Sequence, residues 1–79
     1  MGVKVTAVLT DGSQKLVHLG VGGNLRGVHF GNSGITDLRG LDLSNADLRD
    51  ANLVGVLMRG TKLDNALYTA LDLKGANFA

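Results

Sequence analysis

The 79-residue chain has no cysteine, proline or tryptophan, and all seven of its acids are aspartate, so glutamate is missing too. Without thiols, disulfides and thiolate metal sites are excluded, and the redox compartment cannot be read. A chain free of proline keeps every backbone N–H for ladder hydrogen bonds. Aspartate without glutamate favours turns and strand edges over exposed helix. No apolar run approaches the roughly 18 residues of a membrane-spanning helix, and no secretory leader is legible. The chain therefore reads as soluble and unprocessed, with no membrane partner.

Glycine, by contrast, is abundant, with twelve in the chain, and so much of it predicts sharp corners rather than helix. The length sits near the lower limit for one self-sufficient core. Ordering a residue costs about 1.5 kcal/mol, which burial in so short a chain barely offsets. Help is expected from regular stacking, self-association or a larger partner. The net charge of +1 conceals an asymmetry: residues 1–35 carry Lys4, Lys15 and Arg26 against Asp11 alone, while 36–79 carry five bases against six aspartates. Neither part is charged strongly enough to argue for direct nucleic-acid binding.

From Leu41 the chain divides into fives: LDLSN, ADLRD, ANLVG, VLMRG, TKLDN, ALYTA, LDLKG and ANFA. The central positions are Leu43, Leu48, Leu53, Met58, Leu63, Tyr68, Leu73 and Phe78, all large and apolar. Two residues earlier stand mostly small side chains. The flanks are polar or glycine, with Val54, Leu57 and Leu67 as exceptions. A helical face repeats near 3.6 residues and a half-buried strand at about 2, so neither fits. A period of five requires a corner in every unit, one large side chain turned inward, and stacking of successive turns.

These blocks resemble the pentapeptide-repeat family, whose pattern is A(D/N)LXX. The resemblance implies an all-β fold, a right-handed four-sided β-solenoid with residues 20 apart stacked on each other. That register places Asp42 over Lys62 and the like-charged Arg39 over Arg59. Extended backward, the pattern gives GNLRG, VHFGN and SGITD, centred on Leu25, Phe30 and Ile35. Leu38-Arg39-Gly40 then interrupts the phase and reads as an irregular corner, with Leu38 as an alternative inward residue. The repeat unit thus covers 23–79, nearly three coils.

Residues 1–22 form a separate unit. Val3, Val5, Ala7 and Leu9 alternate ahead of Asp11-Gly12, and KLVHLGV follows, which predicts a β-hairpin. It would either cap the coil or reach to a neighbour as an arm.

Chemistry is sparse. His18 and His29 are the only side chains whose ordinary titration lies near neutrality, and both read as strand or surface residues. LGVGGNLRG lacks the spacing of a phosphate-binding glycine loop and is better explained by corner glycines. Asp37, Asp42 and Asp47 recur every five residues, so they fall on successive sides instead of converging. No catalytic residue, cofactor or metal site is expected, and the chain reads as no enzyme.

Some members of the family mimic duplex DNA with a long acidic rod and modulate type II topoisomerases by protecting or inhibiting gyrase. This chain is short and near charge balance, so that reading ranks second. The first is a structural protein that bridges subunits of a larger particle, such as a bacteriophage capsid cement or decoration protein. Its protein partners would include its own copies, in a symmetric homo-oligomer such as a trimer. The expected contacts are Val3, Val5, Leu9, Leu57, Leu67 and Phe78. The location would be the virion on that reading and the cytoplasm otherwise.

Overall fold

The computed structural model describes residues 3–79, so Met1 and Gly2 of the N-terminal unit lie outside the described residues. No helix occurs among the described residues. The two longest strands are β1 (Val3–Val8) and β2 (Gln14–Leu19), paired antiparallel from Val3 opposite Leu19 to Val8 opposite Gln14. Between them Gly12 sits at a φ of +88°, and Asp11 accepts the N–H of Ser13 at 2.9 Å. This is the hairpin expected around Asp11-Gly12.

From residue 23 onward the backbone turns a corner at nearly every fifth residue. In the regular corners the N–H three residues beyond the central side chain donates to that central residue's carbonyl, as in Leu41 to Leu38 at 3.1 Å and Ala46 to Leu43 at 3.0 Å. The third residue of each such turn has positive φ: Gly27, Gly40, Asn45, Asp50, Gly55, Gly60, Asn65 and Gly75. That is the type II geometry, which glycine adopts freely and Asn or Asp tolerate best among the rest. The Asp or Asn ahead of the central residue fastens the same corner. Asp37, Asp47 and Asn52 each accept, at 3.0 Å, the N–H two residues on. The repeat's composition is therefore local turn chemistry written once per unit.

The corners bring the chain back over itself. Parallel bridges join Asp37 to Leu57, Asp42 to Lys62, Asp47 to Leu67 and Leu57 to Asn77, each pair 20 residues apart. Asp42 does lie over Lys62, and the lysine's charge helps to lower the Asp42 pKa, behind the larger effect of hydrogen bonds from Ser44. Earlier in the chain the spacing is 23: Asn24 pairs with Asp47, and His29 with Asn52. The three extra residues lie between His29 and Asp37. There Ser33 and Gly34 form a tight turn, with the Gly34 N–H donating to Gly31 at 3.1 Å. This corrects the placement of the irregular corner at 38–40. Thr36-Asp37-Leu38-Arg39-Gly40 is a regular unit with Leu38 buried, and the insertion is Ser33-Gly34-Ile35, which leaves Ile35 only half-buried.

Inside the stack the central side chains form columns. Leu25 lies under Leu48, Phe30 under Leu53, and Leu38 under Met58, with Leu43 beside them; all are fully or almost fully buried. Each such side chain contributes about 1.5–3 kcal/mol of transfer free energy. Leu63 and Leu73 are half-buried. Two expected core residues depart from the pattern: Tyr68 is 41% exposed and Phe78 48%. Both belong to the last layer, which has no described layer above it.

The hairpin closes the opposite end. Ala7, Val17 and Leu19 join the buried core, and His29 donates its N–H to the Val8 carbonyl at 2.8 Å. Ser33 seals the junction, its hydroxyl accepting the Val8 N–H at 2.8 Å and lying 2.7 Å from the His29 carbonyl. Residues of the inserted turn thus tie the hairpin to its own chain.

Candidate interaction surface

The last layer departs from the repeat at one corner. In the unit Ala66–Ala70 the residue that should turn left-handed is Ala70, and no positive φ occurs there. Alanine carries a Cβ that opposes that conformation and no polar group to offset it. The chain takes another route: Asp72 donates its N–H to the Thr69 carbonyl at 3.1 Å, and Lys74 to Leu71 at 3.1 Å. The Asp72 carboxylate, buried at 7% exposure, accepts the N–H groups of Thr69 at 2.7 Å and Asp50 at 3.0 Å. Leu71 stands 75% exposed in this detour, and Leu67 in the same layer is 49% exposed. With Phe78 they give the terminal layer a set of large exposed apolar side chains.

The other expected contacts divide. Val3 is exposed, but Val5 and Leu9 pack against the chain's own core. Their face of β1 is the one that closes the stack, so they leave the candidate surface. Leu57 is half-buried at a side position, its main chain paired with Asp37 below and Asn77 above. Residue-by-residue reading missed Leu71 and the detour that exposes it. The signal was present in Ala70, which occupies a slot filled by Gly, Asn or Asp in most other corners.

Side-face charges are largely internal. Arg39 clamps the Asp37 carboxylate with two bonds of 2.9 and 2.8 Å, and Arg49 does the same to Asp47 at 3.0 and 2.7 Å. The guanidinium hydrogen bond, aided by the arginine's own N–H, holds each of these two carboxyls at a pKa of about 2. Arg59 stands over Arg39, but Leu57 occupies the place of the aspartate that would clamp it. The histidines are not brought to a common site. His29 accepts the Asn32 N–H at 3.1 Å within its corner, while His18 faces Lys4 across the hairpin. No cluster of three or more His, Cys, Asp or Glu suited to a metal ion occurs among the described residues.

A stack of five-residue corners with 20-residue parallel pairing defines a repeat protein whose layers contact only their neighbours. Residues 36–65 match the family model described as pentapeptide repeats (8 copies), and this stretch belongs to that family. No curated protein and no solved structure matches the chain.

Proposed function

We propose that residues 23–79 form a right-handed four-sided β-solenoid, and that the chain serves as a non-catalytic bridging subunit of a larger assembly. A capsid cement or decoration protein is one particle role of that kind. One observation carries the reading. Leu67, Tyr68, Leu71 and Phe78 are all large, apolar and exposed in the last described layer, where Leu67 stands in place of the Asp or Asn common at that position and Leu71 is left outside by the detour. Large apolar side chains exposed together in one layer suit contact with a neighbour, and the flat sides suit lateral packing. Duplex mimicry has less support, because Asp37 and Asp47 are clamped by arginine instead of lining an acidic face.

The test is the solution mass of the protein by light scattering across a wide concentration range, with Phe78→Asp alongside. A discrete oligomer that dissociates in the variant is the expected result. A protein that stays monomeric at every concentration and binds no neighbour through this layer overturns the reading.

A further inference from the structure

At the other end of the stack, β2 pairs with β1 on one edge only. Outside the hairpin ladder, no hydrogen bond of a described residue engages a main-chain group of Gln14–Leu19. An antiparallel strand with one partner leaves the N–H and C=O groups of alternate residues directed away from that partner. The far end of this edge is closed, because Gly23 passes so near that a Cβ there would stand 2.1 Å from the His18 carbonyl oxygen. The open stretch is therefore Gln14–Val17.

Exposed edges of this length are commonly blunted by charge or coverage, since they template pairing with another chain. Here the charge has one sign. A groove of about 360 Å³ runs beside the edge, lined by Lys4, Lys15, Leu16, Val17, His18 and Asn24, with no carboxylate among them. Neither lysine is in a salt bridge with a described residue. Asp11, the nearest acid in sequence, is already engaged by Ser13. Leu16 stands 64% exposed on the face opposite Lys15.

We propose that the outer edge of β2 is a strand-addition site for an extended segment of a partner protein that alternates acidic and apolar residues. The main chain of the segment would extend the β1–β2 ladder, its acids would meet Lys15 on one face of the sheet, and its apolar side chains would cover Leu16 on the other, since neighbouring residues of a strand point to opposite faces. The inference deepens the bridging reading by naming the partner's chemistry. It fails separately from that reading, because the light-scattering test concerns the opposite end of the stack.

The experiment titrates the full chain into a fluorescein-labelled peptide of alternating Asp and Val, followed by polarisation. Matched probes are an alternating Lys-Val peptide, an Asp-Val peptide N-methylated on alternate residues, and a labelled oligothymidylate. The Asp-Val peptide should bind. Binding should weaken by roughly tenfold or more with the N-methylated peptide, and likewise with the variant Lys15→Glu, checked for an unchanged circular dichroism spectrum. Loss to N-methylation separates strand addition from simple ion pairing. The proposal is overturned if the Asp-Val peptide does not bind, or if the Lys-Val or N-methylated peptide binds as well. It is equally overturned if oligothymidylate competes on equal terms, since the surface would then recognise any polyanion.

Discussion

The carboxylate of Asp72 receives the main-chain N–H of Asp50, 22 residues earlier, at 3.0 Å, and so joins the irregular last corner to the regular layer beneath it. The same carboxylate holds the Thr69 N–H at 2.7 Å. It replaces, with one buried side chain, the turn that Ala70 does not make.

Replacing Asp72 should therefore loosen the terminal layer selectively. Asp72→Ala leaves two part-buried N–H groups without their carboxylate acceptor and should cost on the order of 1 kcal/mol in urea unfolding. Asp72→Asn keeps one carbonyl oxygen in place and should cost less. Amide exchange should rise at Thr69 and Asp50 while Leu43 and Leu48 stay protected. Uniform protection in Asp72→Ala would mean that the carboxylate holds nothing.

The left-handed corners give a graded test. Gly40 and Gly75 have nearly the same φ, +71° and +76°, yet a Cβ at Gly40 meets nothing within 4 Å, while at Gly75 it comes within 3.2–3.3 Å of Val54. Gly40→Ala should lower stability by about 1–2 kcal/mol through backbone conformation alone. Gly75→Ala should add a steric penalty and cost more. Equal costs in thermal unfolding would show that Val54 yields freely.

Stability should also fall in acid through Asp37 and Asp47. Each carboxyl titrates near 2 in the folded chain, held down by the side-chain bond from Arg39 or Arg49. In the unfolded chain an aspartate titrates near 4, at about 3.9. The folded state thus binds its proton later. The stabilisation is complete above about pH 4 and is lost as pH falls toward 2. Both pairs are solvent-screened, so the effect is modest. Urea midpoints over this range should drop less in Arg39→Gln/Arg49→Gln than in the parent.

Much of this was legible in the sequence, for a physical reason. A period of five calls for one inward side chain per unit, so Leu43, Leu48, Leu53 and Met58 followed from spacing, while their stacking 20 residues apart was what the family resemblance implied. The hairpin followed from alternation around Asp11-Gly12. The insertion was misplaced because Ser33-Gly34-Ile35 supplies a large apolar residue at its end, and Ile35 passes for a centre as well as Leu38 does. Only the change of pairing offset from 23 to 20 decides between them, and that is a tertiary fact. The exposure of Tyr68 and Phe78 was hidden likewise, since a central residue is buried only if a layer lies above it.

The same inserted turn should govern the hairpin. Ser33→Ala removes the hydroxyl that meets the Val8 N–H and the His29 carbonyl. Leaving that N–H unpaired at a half-buried site should cost roughly 1–3 kcal/mol. Exchange at Val8 should rise before exchange at Leu48. If Val8 is no faster in the variant, the hairpin is held without Ser33, by the His29–Val8 main-chain bond and the burial of Ala7, Val17 and Leu19.

Leu57 separates folding from assembly. It stands two residues before Arg59, where the layer below has Asp37 before Arg39, bonded to both the N–H and the guanidinium. Leu57→Asp should restore that clamp and leave stability unchanged or higher by up to about 1 kcal/mol, as expected of an exposed pair with a turn bond. The fold has no evident need for leucine at this position. If the side face is a contact in the proposed assembly, the variant should fold as well as the parent yet associate more weakly in light scattering. Unchanged association would remove Leu57 from the contact surface and leave the terminal layer around Phe78 to account for it.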